Sequence, residues 1–461
     1  MKSKTRTIRN AHIVLEEGDV WGSLVIEGGR ICCVREGIHS EEQAGGESFD
    51  AEGALLIPAM IDAHVHFNEP GRTHWEGFVH GSRAALAGGV SVIFDMPLNS
   101  LPPTTHGDAL AQKKAAAQVR CRTHYGLWGG IADNGLDQWR ELWCAGVVGF
   151  KLFMADSGVP EFPAVGEETL KAALRFSAAT GALIAVHAED GAAMQSRRLT
   201  LETVWTRQDY LRVHDHSSET AAVERLIYWT ERLGARVHIV HASLADTVQK
   251  TFRAKQRGVD ISVETCPHYL TLTDQEFLER GALYQCAPPL RSAKNLEELW
   301  ECVAQGRVDW IASDHSPSPP SMKEGGDVSK IWGGISGVQS SVEVLLSEGW
   351  LKRHIPLTHL VPLLSRNVAK RFKLNDRGSI KPGYWADLTV VGRDPSHRLE
   401  PPLVYDVHRH NPYCGRVLPA RVRATWLDGQ LAYADEHWFD GESEWITGQG
   451  WRRESTEFVS P

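Results

Sequence analysis

The sequence lacks the features that place a protein in a membrane or on nucleic acid. No stretch approaches the roughly 20 consecutive apolar residues that a membrane-spanning helix needs. Residues 1–7 contain no apolar core of a signal peptide. The formal net charge of -9 argues against the basic surface that nucleic-acid binding requires. We therefore expect no membrane and no nucleic-acid partner.

Cysteine is sparse and scattered. The eight cysteines include no C-x-x-C pair, which is unfavourable for a disulfide framework and for a zinc site built on cysteine. Reduced thiols in a cytoplasmic protein are the expected state. A hydrophobic content of 42% is ordinary for a globular protein with a large core. The length of 461 residues suggests one large domain with a smaller one, or two to three average domains.

Short strand-like segments and turns characterise both ends of the chain. The predicted strands are residues 9–15, 23–26, 30–34, 386–391, 421–427 and 430–433. Neither end is long enough to make a stable sandwich alone. We therefore predict that residues 1–56 and 376–461 together form one composite β-sandwich domain.

Between the two ends, apolar runs alternate with helical patterns. The predicted strands lie in residues 55–66, 89–95, 122–128, 148–151, 184–187, 239–241, 260–265 and 310–314. Amphipathic helices are predicted in the gaps, for example at 167–180, 218–233 and 244–257. This alternation predicts an α/β fold, a (β/α)8 TIM barrel, over residues 57–375.

Side chains able to bind metal recur at the ends of five of these runs. They are His64, His66, Lys151, His187, His241 and Asp314. In such a barrel the C-terminal strand ends converge on the catalytic mouth. His64 and His66 are two residues apart, so both rings lie on the same side of their strand. A lone pair of this kind is usually two surface histidines, but its recurrence at further strand ends predicts one metal site.

Lys151 is an unusual candidate for a metal ligand, because a protonated amine repels cations. Burial lowers the pKa of a lysine, and a neutral amine can add carbon dioxide to become a carbamate. That group is an anionic, bidentate ligand that could bridge two metal ions. The alternative is a structural lysine that extends to the barrel mouth. The surrounding imidazoles favour the carbamate.

Asp314 is predicted to carry the proton transfers. Its carboxylate could contact a metal ion and accept a proton from a water molecule whose pKa two divalent ions lower. It would then pass that proton to a leaving nitrogen. The predicted reaction is hydrolysis of a C–N bond in a carbonyl compound. Of the other histidines, His268 could contact the substrate or support a metal ligand, whereas His124 is interpreted as a core residue.

These residues resemble those of the amidohydrolase superfamily, in its cyclic-amidase branch of dihydroorotases, hydantoinases, dihydropyrimidinases and allantoinases. The resemblance covers nearly the whole chain, and GSIKPGYWADL at 378–388 is typical of the composite β domain. It implies that the six strand-end residues bind a binuclear centre, usually zinc, with Lys151 carboxylated. Cobalt, manganese and iron also suit these ligands. It further implies a homo-oligomer, commonly a homotetramer.

Two positions narrow the choice within this branch. Dihydroorotases typically carry an arginine for the substrate carboxylate where this chain has Asn68. Hydantoinases and dihydropyrimidinases typically place a tyrosine shortly after the carboxylated lysine, and residues 153–158 contain none. Both departures, and the segments 95–104 and 285–291, resemble allantoinases. The implied reaction opens the neutral ring of allantoin to allantoate in purine breakdown.

Substrate contacts are expected from loops around the ligands. The residues are Asn68, Asn99, Ser157, Cys286, Ala287, Gly334 and Ile335. Three alternatives stay open at this point. The first is a hydantoinase or dihydropyrimidinase of broad specificity, and the second is a noncatalytic scaffold protein related to dihydropyrimidinase. The third is a one-metal deaminase on the same barrel, which usually lacks the bridging lysine.

Overall fold

A computed structural model of the chain describes residues 5–37 and 46–450. The strands before the barrel are β1 (Arg6–Val14), β2 (Asp19–Glu27), β3 (Arg30–Glu36), β4 (Glu47–Asp50) and β5 (Leu55–Pro58). The barrel strands are β6 (Met60–Val65), β7 (Val90–Asp95), β8 (His124–Leu127), β9 (Gly129–Gly130), β10 (Phe150–Phe153), β11 (Ile184–His187), β12 (Val237–Ile239), β13 (Ile261–Thr265) and β14 (Trp310–Ile311). The strands after it are β15 (Leu388–Arg393), β16 (Ala420–Leu427), β17 (Gln430–Ala434) and β18 (His437–Trp438).

Helices separate the barrel strands, as the sequence pattern predicts. They are α1 (Gly77–Ala87), α2 (Gly107–Arg120), α3 (Leu136–Ala145), α4 (Glu167–Thr180), α5 (Gly191–Arg198), α6 (Arg207–Val213), α7 (His216–Leu233), α8 (Ala245–Gln256), α9 (Asp274–Arg280), α10 (Ala293–Ala304), α11 (Ser341–Leu345), α12 (Leu357–Leu364) and α13 (Arg366–Phe372). A π-helix, Leu346–Lys352, continues α11. The 3-10 helices are Pro267–Leu270, Ala282–Tyr284, Pro320–Lys323, Val328–Lys330, Val338–Ser340 and Pro401–Leu403.

The predicted barrel is confirmed, and its strands run parallel. One sheet has the order β6-β7-β8 and the other β9-β10-β11-β12-β13-β14. β8 and β9 are interrupted only by Trp128, so they act as one strand of the eight. At the other junction the His66 N–H donates to the His315 carbonyl at 2.8 Å, which joins β6 to the segment after β14. The strand ends that carry the predicted ligands therefore share one mouth.

The two ends of the chain form one β domain, as predicted. Nine strands are hydrogen-bonded into a single sheet of order β18-β17-β16-β15-β5-β1-β2-β3, with β4 beside β1. The antiparallel pairing of β5 with β15 joins the N-terminal and C-terminal halves. Apolar side chains from both halves share one core, among them Leu24 and Trp426. The domain boundaries at residues 56 and 376 stay a prediction.

Several predicted barrel strands have different bounds. The predicted strand 55–66 divides into β5, which pairs with β15 in the terminal sheet, and the barrel strand β6. β12 ends at Ile239, two residues before His241. β10 continues two residues beyond Lys151, because Leu152 and Phe153 remain in register with Val186 and His187. β14 ends at Ile311 rather than at Asp314. There the backbone leaves the ladder, since the Ser313 N–H donates to Asp62 at 3.1 Å and Asp314 has a φ of 46°.

The C-terminal segment lies against the barrel as far as it is described. The Ile446 N–H donates to the Tyr125 carbonyl at 2.7 Å, and Ile446 is buried among barrel residues. Residues 451–461 lie outside the described part of the chain. All eight cysteines are free. In the part of the chain that the structure describes, no helix is long and apolar enough to cross a membrane.

Candidate metal centre

Three of the six predicted ligands form a compact group. Nε2 of His64 lies 3.2 Å from Oδ1 of Asp314, and Nε2 of His66 lies 3.4 Å from the same oxygen. The ligand atoms of these three residues all lie within 4.8 Å of one another. Two imidazoles and a carboxylate at this spacing can hold one divalent cation.

His187 and His241 form a second group beside the first. Nδ1 of His187 lies 3.0 Å from Nε2 of His241. The rings of His64 and His241 are 5.5 Å apart, which brings the two groups together. Burial lowers the pKa of His187, and burial together with Lys151 lowers that of His241 well below its usual value. Neutral imidazoles are the form that binds metal.

Lys151 is completely buried, and its charge acts on residues of both groups, since together with burial it lowers the pKa of His66 and of His241. Its Nζ is 4.9 Å from the ring centre of Phe153, which stacks on His187. Burial lowers the pKa of Lys151 to about 8, although Asp314 and Glu264 oppose the shift. The neutral amine that carbamate formation requires is therefore more populated near neutral pH than in an ordinary lysine.

The buried polar atoms of this site provide a test of whether a metal fits. Four of them have no hydrogen-bond partner among the described residues: Nε2 of His64, Nδ1 of His66, Nζ of Lys151 and Nδ1 of His241. Buried polar groups are normally hydrogen-bonded, and leaving one unpaired costs about 1–3 kcal/mol. Four such atoms in one place fit a site that is completed by metal ions and a modified lysine.

Glu264 supports the first group, and the sequence analysis missed it. Its Oε1 lies 2.6 Å from Nδ1 of His64, and its Oε2 lies 3.0 Å from Nε2 of His238. Burial raises the pKa of this carboxyl, but His64 and His238 outweigh burial and hold the pKa well below its usual range. The signal was a carboxylate inside the otherwise uncharged strand β13, which is fully buried. His238 is therefore tied to the site through this carboxylate.

Glu189 has the same role for the second group and was also missed. Its Oε2 lies 2.9 Å from Nε2 of His187, and its Oε1 lies 2.9 Å from Nδ1 of His214. Its position two residues after a predicted ligand was the available signal. A ring held through one nitrogen presents the other in a fixed direction.

Four of the predicted site residues have a left-handed backbone. They are Asn68, Asn99, His241 and Asp314, with φ of 64°, 68°, 39° and 46°. Non-glycine residues seldom adopt this conformation, and when they do they often cluster at functional sites. At each of these four positions the left-handed conformation turns the chain sharply just after a barrel strand.

The two predicted substrate asparagines are buried with free amide oxygens. Asn68 donates from Nδ2 to the Pro317 carbonyl at 3.3 Å. The Oδ1 atoms of Asn68 and Asn99 lack partners within the described chain. Both could accept a hydrogen bond from a neutral substrate. Both ring nitrogens of buried His268 are also unpaired there, and His268 lies near Asp314 and Cys266.

Unlike the two asparagines, Ser157 has a side-chain oxygen that is already hydrogen-bonded. Its hydroxyl donates to the Phe162 carbonyl at 2.6 Å and accepts from the Val159 N–H at 3.1 Å. The hydroxyl therefore closes its own loop, and only the backbone groups of Ser157 remain for a substrate.

His124 lies at the start of β8, where its Nδ1 accepts from the Glu444 N–H and its Nε2 is 3.4 Å from Asp428. It links the barrel to the C-terminal segment, away from the six ligands.

The remaining predicted contacts lie on two adjacent loops. The Cys286 carbonyl accepts from the Tyr210 hydroxyl at 2.9 Å. A Cβ placed on Gly333 would lie 3.3 Å from that hydroxyl and 3.8 Å from the Ala287 nitrogen. Gly334 packs so tightly that a Cβ there would meet the Ser316 carbonyl at 2.4 Å. Ile335 pairs with His315, beside Asp314.

Known proteins are similar in sequence to this chain over most of its length. The sequence profile of the amidohydrolase family matches residues 55–431. The protein named allantoinase from Rubrobacter xylanophilus is 43% identical over 394 residues, covering 85% of this chain and 87% of that protein. The one from Solibacter usitatus is 41% identical over 428 residues, covering 92% and 93%.

Solved structures resemble the fold closely. The L-hydantoinase (dihydropyrimidinase) from Arthrobacter aurescens superposes with a TM-score of 0.90 at 27% identity, covering 97% of this chain and 100% of that one. The dihydropyrimidinase from Brevibacillus agri gives a TM-score of 0.87 at 27% identity, covering 98% and 100%.

Proposed function

This chain belongs to the amidohydrolase family, and we propose that it hydrolyses the ring amide of allantoin and releases allantoate. The observation that carries the proposal is the convergence of the six predicted ligands on one buried site. The similarity to proteins named allantoinase, which extends over most of the chain, supports this choice of substrate.

We propose that the site holds two divalent ions, with zinc the first expectation and cobalt, manganese or iron chemically suitable. His64, His66 and Asp314 would hold one ion, and His187 and His241 the other. Lys151 would bridge them as a carbamate, formed when its neutral amine adds carbon dioxide and loses a proton. The bound ions would lower the pKa of a water molecule and polarise the ring carbonyl.

Asp314 is proposed to move the proton. Burial raises its pKa, but His64 and His66 outweigh burial and lower the pKa to about 2. The group is therefore a carboxylate throughout the neutral range and can accept the proton of the attacking water. It can then deliver that proton to the ring nitrogen as the C–N bond breaks, which leaves a carboxylic acid and a nitrogen bearing one more hydrogen. The carboxylic acid then loses its own proton to solvent and becomes the carboxylate of the product.

The substrate-facing residues suit a neutral, polar ring. The free amide oxygens of Asn68 and Asn99 would accept hydrogen bonds from ring or ureido N–H groups. A substrate carboxylate would lie beside Asn68 without the arginine that normally pairs with it. Burial lowers the pKa of His268 to about 4, so its ring is neutral and can donate one hydrogen bond and accept another.

A broad-specificity hydantoinase is the second candidate, because the solved structures that resemble this fold include hydantoinases. Steady-state assays of the purified protein on allantoin, hydantoin and dihydrouracil separate the two functions. We expect the highest kcat/KM with allantoin, and faster turnover of unsubstituted hydantoin would favour the second candidate. The scaffold alternative predicts no turnover and is disfavoured by the complete ligand set. By family analogy we also propose a homotetramer, which light scattering tests.

A further inference from the structure

A cavity of about 620 Å³ opens at the barrel mouth, next to the predicted substrate loops. Residues that follow β11, β13 and β14 line it, so it lies on the same face of the barrel as the metal centre. None of the six predicted ligands lines it. The function proposed above does not use this cavity.

The lining of the cavity is positively charged, although the whole chain carries a formal net charge of -9. Two guanidinium cations, Arg207 and Arg280, face it together with the amine of Lys323, against the single carboxylate of Glu324 among the described lining residues. An excess of one charge in a concave site raises the local concentration of ligands of the opposite sign.

Two of these cations are free to act as donors. Arg280 is exposed and uses Nη1 on the Tyr284 hydroxyl at 3.2 Å, and Arg207 uses Nη1 on the Leu278 carbonyl at 2.6 Å. A guanidinium has five N–H donors, which leaves several in each residue for an anion. Gly326 adds open backbone, because a Cβ placed there would meet nothing within 4 Å.

Lys323 has a structural role in the cavity wall, because burial lowers its pKa to about 7 and its amine is already hydrogen-bonded. Its Nζ donates to the carbonyls of Ala282, Trp332 and Gly334 at 3.2, 2.8 and 2.7 Å. Those three bonds use all of its donors. They also tie the cavity to Gly334, one of the predicted substrate contacts.

Gln285 forms the wall between the cavity and the substrate loop. Its Nε2 donates to the Val328 and Ile331 carbonyls at 3.1 Å each, and its buried Oε1 has no partner within residues 5–37 and 46–450. The next residue, Cys286, is a predicted substrate contact. A molecule in the cavity would therefore lie one residue away from the proposed substrate site.

The chemistry of ring opening indicates which ligand this charge would select. Hydrolysis converts a neutral cyclic amide into a carboxylate, so the product carries a negative charge that the substrate does not. We propose that the cavity binds small carboxylates, and specifically the ring-opened product as it leaves the catalytic site. The identity of the product rests on the proposed function, whereas the selectivity for carboxylates rests on the cavity itself.

Product inhibition of the metal-loaded enzyme tests the proposal, with Arg280→Gln as the main variant. We expect the inhibition constant for allantoate to rise about tenfold, as for loss of a charge-assisted hydrogen bond, while KM for neutral allantoin stays unchanged. Arg280→Lys should retain most of the affinity. Arg212→Gln is the matched control, because Arg212 is an exposed arginine of α6 that pairs with Asp209 and does not line the cavity. An unaltered inhibition constant in Arg280→Gln, or an equal loss in Arg212→Gln, would contradict the proposal.

Calorimetric titration separates this proposal from the proposed function, because it requires no turnover. Allantoate and N-carbamoylglycine should both bind the metal-loaded protein, and Arg280→Gln should weaken both. Arg207→Gln should have the same effect, with a thermal melt to confirm that the variant is folded. Carboxylate binding by a protein that is inactive on allantoin would contradict allantoin as the substrate but support the cavity as a carboxylate site. Inorganic phosphate binding more tightly than either carboxylate would overturn the ligand class.

Discussion

The carboxylate of Glu264 fixes the ring of His64, with Oε1 2.6 Å from Nδ1. The other nitrogen of that ring, Nε2, is thereby turned towards Asp314 at 3.2 Å. The second oxygen of Glu264 accepts from Nε1 of Trp310 at 2.8 Å. An imidazole held in this way has one nitrogen fixed in place for a metal ion.

Replacing Glu264 should therefore weaken metal binding without removing a ligand. For Glu264→Gln we expect the metal affinity to fall about 10- to 100-fold, measured by competition with a chromogenic chelator. Glu219→Gln is a suitable control, since Glu219 is a buried carboxylate paired with Arg291 at 3.4 Å and contacts none of the six ligands. Equal affinity in wild type and Glu264→Gln would show that this carboxylate does not support the centre.

Lys151→Ala should reduce the metal content from two ions per chain to one or none and abolish hydrolysis. The physical reason is that the carbamate is the proposed bridge, and alanine supplies no ligand. Lys151→Arg should behave in the same way, because a permanently charged guanidinium cannot form a carbamate. Elemental analysis of the purified variants checks this. Two firmly bound ions in Lys151→Ala would favour a structural role for the lysine.

Asn68 should matter to substrate binding through its amide rather than its backbone. Asn68→Gly keeps a residue that tolerates the φ of 64° and removes the free Oδ1. We expect kcat/KM for allantoin to fall about 10- to 100-fold, the cost of a lost buried hydrogen bond. Asn68→Ala should lose as much activity and also about 1 kcal/mol of stability to backbone strain. Retention of full activity in Asn68→Gly would remove this residue from the substrate site.

Stability should depend on pH through Glu76, which is buried 3.6 Å from His315. Burial raises the pKa of this carboxyl from 4.5 to about 8. The folded state then holds a proton that the unfolded state has lost, so stability falls as pH rises through this window. Glu76→Gln should gain stability relative to wild type between pH 5 and pH 8, by at least about 1.4 kcal/mol. Denaturant unfolding at both pH values measures the gain, and parallel pH profiles would show that Glu76 titrates normally.

Much of the architecture could be predicted from the sequence. Continuous apolar runs such as those ending at His187 and His241 identify barrel strands, because a parallel strand is buried on both faces. The same reasoning located the mouth of the barrel, since the C-terminal ends of parallel strands meet there. The similar patterns of the two chain ends also predicted that they share one domain, although β5, which was predicted to begin the first barrel strand, pairs with β15 in the sheet of that domain.

The rest depends on pairings between distant residues that no local pattern encodes. Glu264 and His64 are 200 positions apart, so their bond follows only from the register of the closed barrel. The position of Lys151 inside β10 is set by pairing with β11 rather than by its own apolar run. The hydroxyl of Ser157 could not be assigned either, since it closes a local loop whose shape is defined only in the folded protein.

Metal-dependent turnover of allantoin tests the central claim most directly. The purified enzyme would be assayed on allantoin before chelation, after removal of metal and after addition of zinc, cobalt or manganese with bicarbonate. We predict activity in the first state, its loss in the second and its recovery in the third, with allantoate as the product. Turnover that is indifferent to chelation, or a metal-loaded protein that leaves allantoin intact, would contradict the account.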